Sequence, residues 1–243
     1  HGPGALVNPW LRELIGVSGL ERIWDWRLYA EPANAANGRP FLDALNVRFY
    51  FDLKTVHPAL AAGFKLTHRD DLDVYESMTA WPRAFFTDRL APYDQPAEVV
   101  EAFRGAAGRP LALAQRSDRD AAVALAQIPS DLATRTSVPA TDYRLTENNT
   151  SFSVKAPGPG VVVLTEAFWP GDFRAEINGR KVPILRLNHA FKGVVVDQPG
   201  DLRITIRYWP KAFPRNLALS GLGTLLLAGS WVLVLRSRKE LGT

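Results

Sequence analysis

One uncharged stretch near the C-terminus limits what this chain can become more than any other feature. From Leu217 to Leu235 it reads LALSGLGTLLLAGSWVLVL, with no charged residue and no proline. About 19 residues at ~1.5 Å rise each cover close to the ~30 Å hydrocarbon core of a bilayer. A soluble core helix of this length would show a polar face, and none is visible here. The flanks fit a membrane span. Tyr208, Trp209, Lys211 and Arg215 precede it, and Arg236, Arg238 and Lys239 follow it, as interfacial anchors would. The excess of basic residues after the span places the tail, residues 236–243, in the cytoplasm and the bulk of the chain outside. The lipid bilayer is therefore the first expected partner. Ser220, Thr224 and Ala228 recur every four residues on one helix face, where small side chains let membrane helices approach closely. That spacing points to further spans that this helix packs against, the alternative being that Gly, Ala and Ser are simply common in membrane spans.

The remainder divides by pattern. Residues 1–41, with Trp24-Asp25-Trp26 and Asn37-Gly38, carry no clear period and are expected to be a loop or linker. The chain begins His1-Gly2-Pro3-Gly4, without an initiator Met or a signal-peptide pattern, and is expected to be a piece of a longer protein. Residues 42–135 mix signals. Leu45–Phe51, Phe64–Thr67, Leu72–Glu76, Ala84–Thr87 and Leu111–Ala114 suggest strands. Gln95–Arg104 suggests a helix capped by Asp94, with Val99, Val100 and Phe103 as its apolar stripe and Gly105 at its end. A second helix begins near Ser117 and must stop at Pro129.

Residues 141–210 alternate apolar and polar side chains in short runs: Asp142–Thr146, Ser151–Lys155, Val161–Ala167, Phe173–Ile177, Val182–Leu187, Gly193–Val196 and Leu202–Tyr208. Turn residues separate them, among them Asn178-Gly179, which supplies the positive φ angles of a tight hairpin. In the last run Leu202, Ile204, Ile206 and Tyr208 share one face, and Arg203, Thr205 and Arg207 the other. This predicts an antiparallel β-sandwich. The expected fold class is α+β: a mixed α+β subdomain, then the sandwich, then one transmembrane helix.

Chemistry-bearing motifs are scarce. The chain has no cysteine, so thiolate ligands and Cys nucleophiles are excluded. The net charge of +4 is spread along the chain, and no basic stripe suggests nucleic acid. His1, His57, His68 and His189 lack metal-ligand spacing. The acidic run Asp70, Asp71 and Asp73, with His68 and Glu76 nearby, reads as a solvated turn entering a strand. Gly158 and Gly160 flank a proline in a turn, not a phosphate loop. No catalytic residue, metal or cofactor is expected in this chain. The side chains best suited to touch a sugar ring or its hydroxyls are Trp81, Trp169, Asp172, Asn188, His189 and Phe191. Packing in a core is the competing role for the aromatics and for His189.

Three stretches resemble the C-terminal third of YfhO-type bacterial membrane proteins. The first is Leu42-Asp43-Ala44-Leu45-Asn46-Val47-Arg48-Phe49. The second is Val74-Tyr75-Glu76 followed by Trp81-Pro82-Arg83-Ala84-Phe85. The third runs from Trp169-Pro170-Gly171 through Ala175-Glu176-Ile177-Asn178-Gly179 and Asn188-His189-Ala190-Phe191-Lys192-Gly193 to Tyr208-Trp209-Pro210. Asp172 stands where the family has Trp, and Ser77 where it has Asn. The resemblance implies a polyprenyl-phosphate-sugar-dependent transferase of the GT-C type, acting on a cell-envelope polymer such as a teichoic acid. Its acting acidic residue would lie in an N-terminal helical bundle, which is not part of this sequence. The implied partners are that bundle and a glycan or lipid-linked sugar. The alternative is a membrane-anchored sandwich that binds a glycan or a protein without catalysis.

Overall fold

The computed structural model describes residues 8–19, 22–24, 27–29, 32–53 and 64–240. The chain starts with helix α1 (Pro9–Val17), a short hairpin of β1 (Arg22–Trp24) and β2 (Arg27–Tyr29), and helix α2 (Pro32–Ala44). A three-stranded antiparallel sheet follows, of β3 (Phe49–Leu53), β4 (Phe64–Arg69) and β5 (Leu72–Ser77), ordered β3-β5-β4. Next come β6 (Ala84–Thr87), β7 (Ala91–Tyr93), α3 (Pro96–Gly105) and β8 (Leu113–Gln115), with β7 and β8 parallel. Helix α4 (Ala122–Gln127) lies between 3-10 turns at Arg119–Ala121 and Leu132–Thr134.

The sandwich strands are β9 (Ser137–Pro139), β10 (Thr141–Leu145), β11 (Asn149–Ala156), β12 (Gly160–Ala167), β13 (Phe173–Ile177), β14 (Arg180–Val182), β15 (Leu185–Leu187), β16 (Phe191–Val196) and β17 (Gly200–Tyr208). They form two five-stranded antiparallel sheets, an outer one ordered β10-β11-β17-β13-β14 and an inner one ordered β15-β16-β12-β6-β9. Helix α5 (Phe213–Glu240) closes the chain.

The inner sheet is buried on both faces, which explains the unbroken apolar run in β12. Val162 and Leu164 face the outer sheet with Phe152, Ile204 and Ile206. Val161 and Val163 face the other way, toward Trp81, Phe85, Val99 and Phe103. A strand covered on both sides loses the alternation that marks a half-exposed one. Gly160 is required where β12 approaches β6, since a Cβ there would stand 2.3 Å from the Thr87 carbonyl oxygen. The Asn178-Gly179 hairpin forms as expected, with φ angles of 50° and 80°.

Four expectations are corrected. The segment 1–41 is not simply a linker: Asn8 caps α1 by accepting from the Leu11 amide, and Leu14 and Ile15 enter the core with Phe41 of α2. The division between 135 and 141 falls inside a fold, because β6 pairs with β12 and β9 in one sheet. Val182–Leu187 is two strands rather than one. Pro183 has no amide to donate, and the chain crosses there from the outer sheet to the inner. Asp94 does not cap α3; the Glu98 carboxylate accepts the Gln95 amide at 3.0 Å instead.

The terminal helix is long and apolar enough to cross a membrane. Leu225 is 71% exposed and Trp231 68% exposed, so neither serves as core. Ser220, Thr224 and Ala228 are exposed too, and the Thr224 hydroxyl donates back to the Ser220 carbonyl within the helix.

Candidate functional site

The outer sheet turns its polar face to solvent, and that face carries a groove of about 550 Å³ at the root of α5. Strand β17 delivers Thr205 and Arg207, β13 delivers Arg174 and Glu176, β14 delivers Lys181, and β11 begins with Asn149. Trp209, one residue past β17, forms its end. The Trp209 ring lies 5.0 Å from both the Arg174 and the Arg207 guanidinium and meets Phe213 of α5 edge-on at 5.0 Å. Trp209 is therefore both the wall of the groove and the joint to the helix.

The register brings Arg174 directly opposite Arg207. Like charges in that relation repel. Neither has a carboxylate partner within ion-pair distance among the described residues. Arg203, four residues before Arg207 on the same face, is satisfied by the Ser151 and Ser153 hydroxyls. Two of the residues lining the groove each hold a buried atom with no hydrogen-bond partner among the described residues: the donor Nε1 of Trp209 and the acceptor Oδ1 of Asn149. Buried polar atoms are usually paired, so two orphans of opposite kind in one groove suit a ligand offering both a donor and an acceptor.

The loop before β13 is tied to the same corner. Asp172 accepts the Trp209 amide through its carbonyl at 2.7 Å and the Lys211 amide through its carboxylate at 3.3 Å. Trp169, 37% exposed, tops this loop. Gly171, at φ 77°, lets Lys211 lie against it. Two of the expected sugar-contact residues, Trp169 and Asp172, thus lie at the root of the helix.

The other four do not. Trp81 is only 1% exposed and packs edge-on to Phe85 and Phe103; Phe191 is also core. Neither has an open face for a sugar ring. Asn188 and His189 are buried in a hydrogen-bonded corner. The Asn188 side chain accepts the Leu113 amide at 2.7 Å and donates to the Leu111 carbonyl at 2.9 Å. His189 Nδ1 lies 2.8 Å from the Tyr93 hydroxyl and Nε2 lies 2.7 Å from Glu13 of α1. Glu13 can only accept there, so Nε2–H donates to it and Nδ1 accepts from Tyr93. Burial raises the Tyr93 pKa, which keeps that hydroxyl protonated.

Burial lowers the His189 pKa; the Glu13 hydrogen bond pulls it back up and the Arg186 charge pushes it down again. The folded chain thus holds His189 neutral while the unfolded chain takes up a proton near pH 6.5. Stability is present above that pH and lost as pH falls below it, by at most about 1.4 kcal/mol per pH unit until His189 itself titrates. Thermal midpoints measured from pH 7.5 to 5 are expected to fall on this limb. His189→Gln is expected to flatten it, and an unchanged slope would rule the histidine out as its source.

A third polar cluster lies between the sheets at the helix end of the sandwich. Glu166 accepts from the Tyr143 hydroxyl at 2.7 Å, the Thr150 hydroxyl at 3.1 Å and Lys192 Nζ at 3.0 Å. Lys192 also sits 3.4 Å from the centre of the Phe173 ring. Burial alone would push Glu166 up, but Tyr143, Lys192 and Arg83 bring it below the usual carboxylate range. Burial also lowers Lys192, which Glu166 only partly offsets. Every member is paired, so the cluster holds the sheets together.

In the acidic run Asp73 pairs with Arg69, and nearby Glu76 pairs with Arg48, while Asp70 and Asp71 are exposed at the turn into β5. Tyr208 packs at a tilt on Phe173, while Arg215 and Arg236 are exposed at the two ends of the apolar stretch. The side chains of Arg238 and Lys239 lie outside the described residues.

No family model, curated protein or solved structure matches this chain. The site is therefore read from its own geometry. Arg174, Asn149 and Lys181 were not singled out from sequence, because only the strand register brings them beside Trp209. Arg207 stands on the polar face of an alternating strand in the sequence, but nothing there marks it as a site residue.

Proposed function

We propose that this chain is the outward-facing, membrane-anchored module of a larger bacterial membrane protein, and that the groove beside Trp209 is its working surface. The module serves lipid-linked sugar transfer to a cell-envelope polymer, as the YfhO-type resemblance implies, by holding a hydroxyl-rich ligand close to the bilayer. The carrying observation is the pair of orphans, Trp209 Nε1 and Asn149 Oδ1, on residues that line a groove joined to a membrane-compatible helix. The role is accessory, since the buried His189 and Lys192 clusters are satisfied internally.

The test is made in cells carrying the whole protein. Trp209→Phe keeps an aromatic ring and removes the N–H; Asn149→Leu removes the acceptor. Together they are expected to lower glycosylation of the envelope polymer several-fold at unchanged protein level in the membrane. Full glycosylation in the double variant defeats this reading and leaves the anchored binding module without associated transfer.

A further inference from the structure

The groove's charge is arranged more specifically than a sugar site requires. Arg174, Lys181 and Arg207 line it with Glu147 and Glu176, a surplus of one positive charge (3 − 2). The surplus is not evenly spread. Glu176 stands directly across from Lys181, whereas Arg174 stands directly across from Arg207. Both guanidiniums lie at 5.0 Å from the one indole ring, with no carboxylate of the described residues in ion-pair distance of either. Two unneutralised arginines held side by side are the geometry that receives a phosphate, whose oxygens accept from planar N–H forks. The orphan donor of Trp209 adds a third N–H, and Asn149 Oδ1 with the two carboxylates adds acceptors for hydroxyls.

Position supplies the source of that phosphate. Trp209 packs on Phe213, the first residue of the apolar span, so the groove opens where lipid headgroups lie. We propose that the groove binds the headgroup of an anionic phospholipid with a hydroxylated headgroup, of the phosphatidylglycerol type, its phosphodiester between Arg174 and Arg207. The inference rests on the reading that α5 crosses the membrane and that the groove is a ligand site. It adds that the ligand is an anion anchored in the same leaflet. A bound lipid would remove the repulsion between the arginines and hold the sandwich at a defined tilt on the bilayer.

The experiment uses the full chain in a neutral polyoxyethylene detergent. The readout is the Trp209 indole ¹H–¹⁵N signal, assigned by its loss in Trp209→Phe. Four probes are titrated: dihexanoyl-phosphatidylglycerol, dihexanoyl-phosphatidylcholine, inorganic phosphate and a neutral alkyl glucoside. The glycerol lipid is expected to shift the signal saturably, at lower concentration than any other probe. Arg174→Gln and Arg207→Gln are each expected to weaken that binding about ten- to hundredfold. Arg207→Lys, which keeps the charge and the fold, is expected to weaken it less.

Equal response to the choline lipid, or a response to inorganic phosphate at the same or lower concentration, overturns the proposal whatever the variants do. A response to the glucoside without one to the glycerol lipid also overturns it and leaves the glycan reading standing. Selective lipid binding combined with full glycosylation in the Trp209→Phe, Asn149→Leu cells supports this inference and removes the other.

Discussion

Asn188→Ala is expected to lower the thermal midpoint by about 10 °C or more. The residue is fully buried, at φ 48°, and its side chain bonds both the Leu113 amide and the Leu111 carbonyl. Alanine would leave both backbone groups without a partner, each at about 1–3 kcal/mol. It would also occupy a left-handed conformation that Asn tolerates better, at about 1–2 kcal/mol. The sum, roughly 3–8 kcal/mol, is a large share of the ~5–15 kcal/mol that holds a domain folded. At ~2–4 °C per kcal/mol for a chain this size, the shift is unmistakable in a melt. Asn188→Gly separates the contributions, because glycine relieves the backbone and still orphans both groups. A midpoint within a degree of the parent in both variants would show that the side chain does not hold this corner.

The second large effect belongs to the pair between the sheets. Glu166→Gln removes the carboxylate from Lys192, whose side chain is 3% exposed, and is expected to cost about 3–5 kcal/mol. Lys192→Met alone should also destabilise, since it leaves Glu166 short of its nearest cation. The double variant Glu166→Gln, Lys192→Met is expected to recover much of either loss, because neither charge is then stranded. Unfolding free energies of the four proteins give the coupling directly. Additive losses would mean that the two groups do not act as a pair.

Much of the fold was legible in the sequence because local chemistry and tertiary structure agree. Asn178-Gly179, the alternation of β17 and the apolar stripe of α3 all name their elements without help from distant residues. Failures occurred where a distant partner decides. Ala84–Thr87 was visible as a strand, yet nothing local says that it pairs with Val161–Leu164. Leu14 and Ile15 are too few for a clear helical period, and they matter because α3 lies beneath them. Trp81 and Phe191 stood out as aromatics, but a sequence does not say which aromatics a double-faced sheet will bury. Arg174 was invisible as a site residue for the same reason, since its meaning lies in the register that sets it against Arg207.

The strand made last, β17, occupies the middle of the outer sheet, with β10 and β11 on one side and β13 and β14 on the other. Four strands therefore wait for their centre until residues 200–208 have emerged, only a few positions ahead of the apolar helix. During synthesis the outer sheet cannot close before the apolar helix is itself being made. Closure of the sheet and completion of the apolar helix are thus compressed into one late stage, and a chain that stalls before residue 200 has neither.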